Sequence, residues 1–274
     1  MFAHEFVRNA YLAGTFIALA CGSVGWFVVL RGQLFAGDAL SHVAFVGAIA
    51  AAVFAVNEQV GLFAVTLAVG AGMAALGRGA QADDVVIGIV FAWILGIGLL
   101  LITVLATSSG GGNGITAVNA LFGSIYALSA GASSVAAVIA AAVTAAVVVV
   151  FRPLLLSTLD SELAGARGVP VRALGAGFLV LVAAVTAEST EAVGALLLLG
   201  LLSAPAGAAH RMTANPYRGL ALSAGLAVVA MWGGLALSYG IPSLPASSAI
   251  IGLAAAIYAI AAVVGRRGRA PRRA

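Results

Sequence analysis

Apolar runs of about 20 residues recur along the whole chain, and this is the length that an α-helix needs to cross the hydrocarbon core of a bilayer. Of the 274 residues, 63% are hydrophobic and only 8% are charged, and the mean hydropathy is +1.16. Small residues are abundant, including 35 glycines, and they allow helices in lipid to pack closely. The sequence therefore predicts an all-α, polytopic membrane helical bundle.

About nine transmembrane helices are predicted from the length of the apolar runs. They lie at approximately 10–30, 33–56, 60–77, 85–106, 131–150, 173–187, 193–210, 219–238 and 247–265. These spans and their short connections occupy residues 1–274 as a single transmembrane domain and leave no room for a separate soluble domain. An ATPase or ligand-binding domain would have to be another polypeptide.

The arginines predict the orientation, because the cytoplasmic loops of membrane proteins collect basic residues. The chain has 13 basic residues, all of them arginine, and five lie in the basic tail at 266–274. With this tail in the cytoplasm and an odd number of spans, every arginine except Arg8 falls on the cytoplasmic side. The pattern predicts a multi-pass protein of the cell membrane with its N-terminus outside and its C-terminus inside.

The segment 107–130 does not fit a simple span. It begins with a glycine-rich stretch that predicts an external turn, and the apolar residues 121–126 are too few to cross a bilayer. A re-entrant or interfacial helix is the expected structure. Backbone of this kind is tolerated at membrane depth only where protein covers it or where it lines a cavity.

Asp38 and His42 are four residues apart inside an apolar segment. In a helix this spacing puts a carboxylate and an imidazole on one face, one turn apart, where together they could hold a cation. Ionisable groups within a membrane span are costly and usually mark a substrate pathway, a proton relay or a partnered site. The alternative is that Asp38 caps the start of the second helix and that Ser41 and His42 hydrogen-bond a neighbouring helix.

The longest conspicuous cytoplasmic loop is 151–172, and residues 159–170 within it predict a short helix. The start signals are Asp160 as the cap and Glu162 in the first turn, and the stop signals are Arg167, Gly168 and Pro170. A capped helix in this position could dock a soluble partner, or it could be a solvated connector. The residues alone do not separate these two interpretations.

Several short motifs follow one another along the chain. They are Val29-Leu-Arg-Gly32, Gly37-Asp-Ala-Leu-Ser-His42, Asp83-Asp-Val-Val-Ile-Gly88, Leu121-Phe-Gly-Ser124, Asp160-Ser-Glu-Leu-Ala164 and Gly194-Ala-Leu-Leu-Leu-Leu-Gly-Leu-Leu-Ser-Ala-Pro-Ala206. In order and spacing, over nearly the whole chain, they resemble the permease subunits of the manganese, zinc and iron ABC importers, the ABC-3 type of metal permease. A lone Asp-x-x-x-His would be a weak signal, whereas this collinear set is far more specific.

This resemblance implies a type II ABC importer-like permease that provides the pathway for Mn²⁺, Zn²⁺ or Fe²⁺. The pore would be a homodimer, or a pair with a second similar permease, bound to cytoplasmic ATP-binding subunits and served by an extracytoplasmic metal-binding protein. Catalysis would reside on the ATP-binding partner, and no permanently bound cofactor is expected. The metal would be cargo.

The resemblance also implies roles for particular residues. Asp38 and His42 match the pair that meets the ion in the membrane, and two chains around a dimer axis could offer four ligands. The 159–170 helix matches the coupling helix that sits in a groove of the ATPase. Its coupling residues would be Asp160, Glu162, Ala164 and Gly168.

One departure from the family pattern concerns the second span. Members commonly carry Pro-Gly shortly after the histidine, whereas this chain has Val46-Gly47. Proline would kink the helix by removing a backbone donor. Its absence bears on the helix geometry near His42 and therefore on metal preference.

Glu188 and Glu191 fall at the outer end of the sixth and seventh spans. A carboxylate pair there could draw cations to the mouth of the pore. Solvated loop charges are the alternative, as is usual for exposed carboxylates.

Two other functions stay open from the sequence. A secondary cation carrier would also have intramembrane ionisable residues but would have no reason to keep a cytoplasmic docking helix. An ABC permease for a metal chelate or an organic cofactor would be expected to lack liganding side chains in its pathway. Mn²⁺, Zn²⁺ and Fe²⁺ share ligand preferences, so the pair does not distinguish among them.

Overall fold

The computed structural model describes residues 4–77, 84–108, 121–241 and 243–267, and eleven α-helices can be followed within them. They are α1 (Glu5–Leu30), α2 (Leu34–Val53), α3 (Glu58–Leu76), α4 (Asp84–Ser108), α5 (Ala130–Val149), α6 (Phe151–Leu159), α7 (Ser161–Ala166), α8 (Val171–Val193), α9 (Ala195–Met212), α10 (Pro216–Gly240) and α11 (Ala246–Arg267). A single 3-10 turn, Ile125–Ala127, precedes α5. The predicted all-α bundle is confirmed.

Eight helices of the described part are long and apolar enough to cross a membrane, namely α1 to α5, α8, α10 and α11. The remaining long helix, α9, has 18 residues and coincides with the span predicted at 193–210. Each of the nine predicted spans therefore corresponds to a helix. Three are longer than predicted by at least five residues, because α1 already begins at Glu5, α8 continues to Val193, and α10 runs from Pro216 to Gly240.

Parts of three predictions lie outside the described residues. They are the middle of the 107–130 segment, the positions of Arg78 and Asp83 before the fourth span, and the basic tail from residue 268 onward.

The centre of the bundle is formed by the first two helices. In the most apolar stretches of α1 and α2, 72% of residues are buried inside the protein, whereas only 17% are buried in α4. Helix α1 packs against α5, α8, α9 and α10, while α2 packs against α3, α4, α8 and α9. The predicted ion-binding pair thus lies on one of the two most enclosed helices.

Two glycines hold the segment 121–127 against the junction of α8 and α9. Gly194 is the only residue between these helices and has φ +94°, and Gly123 has φ +73°. A Cβ atom on either glycine would overlap backbone atoms beside the other. The backbone N–H of Ser124 donates to the carbonyl oxygen of Glu191 at 3.2 Å. The described end of the broken segment is therefore covered by protein; Leu121 and Phe122 are helical, and the 3-10 turn Ile125–Ala127 follows them.

The cytoplasmic loop predicted at 151–172 contains two helices. The predicted short helix is confirmed as α7, because Asp160 Oδ1 accepts a hydrogen bond from the Leu163 N–H at 2.8 Å and Gly168 ends the turn with φ +76°. The preceding helix α6 was not predicted. It has nine residues with Pro153 in its first turn, where proline is tolerated.

Replacing Asp160 by alanine is expected to loosen α7, because an N-cap substitution to alanine costs about 1 kcal/mol. We expect amide hydrogen exchange in residues 161–166 to become about fivefold faster. Asp160→Asn is the matched control, since asparagine caps helices as well as aspartate does. Equal exchange in the two variants would mean that the cap does not stabilise α7.

Candidate functional site

Asp38 and His42 lie on the same face of α2, one turn apart, and both are half-buried. Phe35, one turn earlier on this face, is 41% exposed. The residues around them on α2, including Ala39, Leu40 and Val43, are fully buried. The two ionisable side chains therefore occupy the accessible stripe of an otherwise enclosed helix. The predicted juxtaposition is confirmed.

The interpretation of Asp38 as a helix cap is wrong. Helix α2 begins at Leu34, four residues before Asp38, and the residue at its cap position is Gln33. The Ser41 hydroxyl donates at 2.7 Å to the carbonyl oxygen of Asp38 in its own helix, not to a neighbouring helix. Among the described residues, neither the Asp38 carboxylate nor the His42 ring is held by a side-chain hydrogen bond. Both remain available to a ligand.

Helix α4 supplies an aromatic wall beside the pair. The Phe91 ring lies 5.2 Å from the His42 ring, measured between centroids, and 5.9 Å from the Phe35 ring. This contact restricts the orientations open to the imidazole. Phe91 was not singled out from the sequence, because nothing distinguishes it from the other apolar residues of its span.

The pair is chemically suited to a borderline divalent cation. A carboxylate oxygen and a neutral imidazole nitrogen are ligands that Mn²⁺, Fe²⁺ and Zn²⁺ accept. Within the described residues of one chain, no group of three or more His, Cys, Asp or Glu side chains comes together as a metal site. Among the described residues, one chain therefore offers two candidate side-chain ligands here.

The Val46-Gly47 departure leaves α2 unbroken, since the helix runs from Leu34 to Val53. Gly47 lies against the backbone of Gly61 in α3, and a Cβ atom there would be 2.8 Å from the Gly61 carbonyl oxygen. His42 therefore projects from a regular helix that is packed closely on α3.

Glu188 and Glu191 are not solvated loop charges. Both lie in the last turns of α8, and Glu188 is only 4% exposed. Glu188 borders a small apolar space that is also lined by Ile17, Ala20, Ile139, Ala140 and Val143. The Glu191 carboxylate accepts hydrogen bonds from Gln59 Nε2 of α3 at 3.1 and 3.0 Å. The interpretation of these residues as solvated loop charges is wrong, because the predicted span ended at residue 187 whereas α8 continues to Val193.

The predicted coupling residues lie together on the α6–α7 loop. Ala164 is buried and fixes α7 to its surroundings, while Glu162 and Gly168 are exposed. Two leucines, Leu159 and Leu163, are 66% and 42% exposed on this loop. Leu159 at the end of α6 and Leu163 on the capped helix α7 give this surface exposed apolar area.

The chain is similar to known proteins over nearly its full length. The model of the ABC 3 transport family matches residues 3–265. The manganese transport system membrane protein MntC of Halalkalibacterium halodurans is 27% identical over 262 residues, which cover 95% of this chain and 88% of that protein. The high-affinity zinc uptake system membrane protein ZnuB of Haemophilus influenzae is 26% identical over 235 residues, covering 85% of this chain and 88% of that protein.

A solved structure shows the same architecture. A chain of PsaBC from Streptococcus pneumoniae, in complex with Fab, is 26% identical and matches with a TM-score of 0.81, covering 95% of this chain and 92% of that chain. The family match covers nearly the full length of the helical bundle. This multi-pass membrane protein belongs to the ABC 3 transport family.

Proposed function

We propose that this chain is the membrane-spanning permease subunit of an ATP-driven importer of divalent metal ions, with Mn²⁺, Zn²⁺ or Fe²⁺ as cargo. The observation that carries the proposal is the Asp38–His42 pair on the accessible face of α2 in a member of this family. Relatives named for manganese and zinc transport support the class of cargo. The ligand chemistry selects this class of ion rather than one metal.

The working pore contains two permease copies, most simply a homodimer. Two ligands per chain are few for a transition metal, and a two-fold axis doubles them to four. A site built from so few side chains also favours release of the ion. Neither copy catalyses a reaction, and no resident cofactor takes part in transport.

Two further proteins complete the transporter. A cytoplasmic ATP-binding subunit docks on α7 through the surface around Asp160, Glu162, Ala164 and Gly168. The exposed Leu159 and Leu163 support this docking, because they offer apolar area to a partner. An extracytoplasmic metal-binding protein delivers the ion to the opposite face.

The arginine distribution supports an orientation with the N-terminus outside and the C-terminus in the cytoplasm. In this orientation residues 1–274 are one transmembrane domain, the 151–172 loop faces the ATP-binding subunit, and the 266–274 tail lies at the inner surface. Glu188 and Glu191 then lie near the outer mouth of the pore, and the carboxylate of the less buried Glu191 attracts cations there.

Uptake measurements in proteoliposomes test the proposal. The permease is reconstituted with its ATP-binding subunit and binding protein, and radioactive Mn²⁺ and Zn²⁺ are followed with and without ATP. We expect uptake of at least one ion to require ATP, and a complex with a hydrolysis-deficient ATP-binding subunit serves as the control. Uptake driven by an ion gradient without ATP would favour a secondary carrier, and uptake of a chelate alone would favour a chelate permease.

A further inference from the structure

The turn between α1 and α2 has a fixed geometry. The Gln33 N–H donates to the Val28 carbonyl at 2.9 Å, and the Gly32 N–H donates to the Val29 carbonyl at 3.2 Å. Gly32 has φ +68°, a conformation that favours glycine. These two hydrogen bonds form a Schellman motif, and α2 begins directly after it. The start of α2 is therefore tied to the end of α1.

Arg31 lies in this turn and carries its side chain into the protein. It is only 7% exposed. Its Nε donates to the Thr158 hydroxyl at 2.9 Å, its Nη2 donates to the Ser157 hydroxyl at 3.3 Å, and its guanidinium lies 4.8 Å from the centre of the Phe178 ring. One cation thus connects the α1–α2 turn with α6 and α8.

The two hydroxyls are oriented to accept from a cation. Both Ser157 and Thr158 donate their own protons to the carbonyl oxygen of Leu154, at 2.9 and 2.6 Å. Their lone pairs remain for the guanidinium. They lie in the last turn of α6, and Asp160, the cap of α7, follows Thr158 by two residues. The contact therefore lies beside the start of the proposed coupling helix.

Arg31 keeps its charge in this position. Burial lowers the pKa of its guanidinium from the ordinary value to about 10, which leaves it protonated at neutral pH. A buried charge that loses its hydrogen-bond partners is strongly destabilising. Displacement of α6 relative to the turn is therefore resisted, and α6 and the base of α2 tend to move together.

We infer that Arg31 is a positioning residue that links the coupling helix α7, through the end of α6, to the base of the helix that carries Asp38 and His42. This inference rests on the proposed function. Docking forces applied to α7 by an ATP-binding subunit reach α2 through a contiguous set of hydrogen bonds. The alternative role, a purely structural anchor, would affect assembly without changing the number of ions moved per ATP.

The ratio of ions transported to ATP hydrolysed tests the inference in the reconstituted complex. Arg31→Gln removes the charge and the fork of donors, and we expect the ratio to fall roughly tenfold, which corresponds to about 1.4 kcal/mol of lost coupling. Thr158→Val removes one acceptor while keeping the side-chain shape. We expect it to lower the ratio in the same direction but by less.

Arg211→Gln is the matched control. Arg211 also donates to a hydroxyl, that of Tyr258 at 2.9 Å, and lies 5.1 Å from the centre of that ring, but this contact joins α9 to α11. We expect the Arg211→Gln complex to transport as many ions per ATP hydrolysed as the wild type does. The inference would be overturned by a normal ratio of ions to ATP in both Arg31→Gln and Thr158→Val, or by an equal fall in Arg211→Gln. It would also be overturned if Arg31→Gln failed to assemble while Thr158→Val kept a normal ratio. A wild-type complex that hydrolyses ATP without moving metal would instead contradict the proposed function.

Discussion

Asp38→Ala and His42→Ala are each expected to lower ATP-driven uptake of Mn²⁺ and Zn²⁺, at metal concentrations below saturation, by at least about 10–100-fold. Mutating a residue that only hydrogen-bonds a metal ligand typically lowers metal affinity or activity by about 10–100-fold. Removing a ligand itself should lower it at least as much. The side chains are half-buried and hold no helix cap, so the fold should tolerate both changes. The measurement is initial uptake rate against metal concentration in proteoliposomes.

Phe35→Leu is the matched control for the two ligand variants. Phe35 lies on the same accessible face of α2 but offers no ligand atom. Metal uptake by the Phe35→Leu variant should stay within about twofold of the wild-type rate, as is usual for a substitution that conserves apolar character. Unchanged uptake in Asp38→Ala and His42→Ala, with assembly intact, would reduce the pair to helix packing. The search for the ion would then move to Glu188 and Glu191.

Gly194→Ala is expected to destabilise the bundle severely. The residue has φ +94°, and a Cβ atom would overlap the carbonyl oxygen of Leu121. Strain in this backbone region alone costs about 1–3 kcal/mol. The apparent Tm of the purified permease should fall by roughly 2–4 °C for each kcal/mol, and the overlap adds to this loss. Thermal unfolding in detergent, followed by size-exclusion chromatography, gives the measurement.

Gly225→Ala provides the comparison for that variant. Gly225 lies inside α10 with a negative φ, and a Cβ atom there would meet nothing within 4 Å. Alanine should leave the apparent Tm unchanged or raise it, because glycine within a helix is less stable than alanine by roughly 0.5–1 kcal/mol. Equal Tm values for Gly194→Ala and Gly225→Ala would show that the contact between segment 121–127 and Gly194 does not stabilise the permease.

Most of the fold was predictable because apolar length and end signals are local properties of the sequence. The nine spans follow from runs of bilayer length, and α7 follows from Asp160 and Gly168 at its ends. Helix α6 has no such signal, since nine residues are too few for a clear periodicity. Its existence depends on neighbours that a single sequence does not specify.

The candidate site was predictable only in part. The spacing of Asp38 and His42 is local, and a helix brings them together whatever surrounds it. The Phe91 wall and the Arg31 contacts join residues far apart in the sequence, so no local pattern indicates them. Glu188 was misplaced for the same reason, because tertiary packing rather than composition decides whether a carboxylate at a helix end meets water.

The single-residue junction at Gly194 also constrains how the protein is made. Phe178 near the start of α8 and His210 near the end of α9 both contact the last turns of α1, so the chain reverses direction at Gly194. One residue spans only about 3.5 Å, so the two helices form a tight hairpin, and we expect them to enter the bilayer as one unit. The tip of this hairpin carries Glu191. Gln59, whose amide donates to this carboxylate, belongs to α3 and is therefore synthesised before α8.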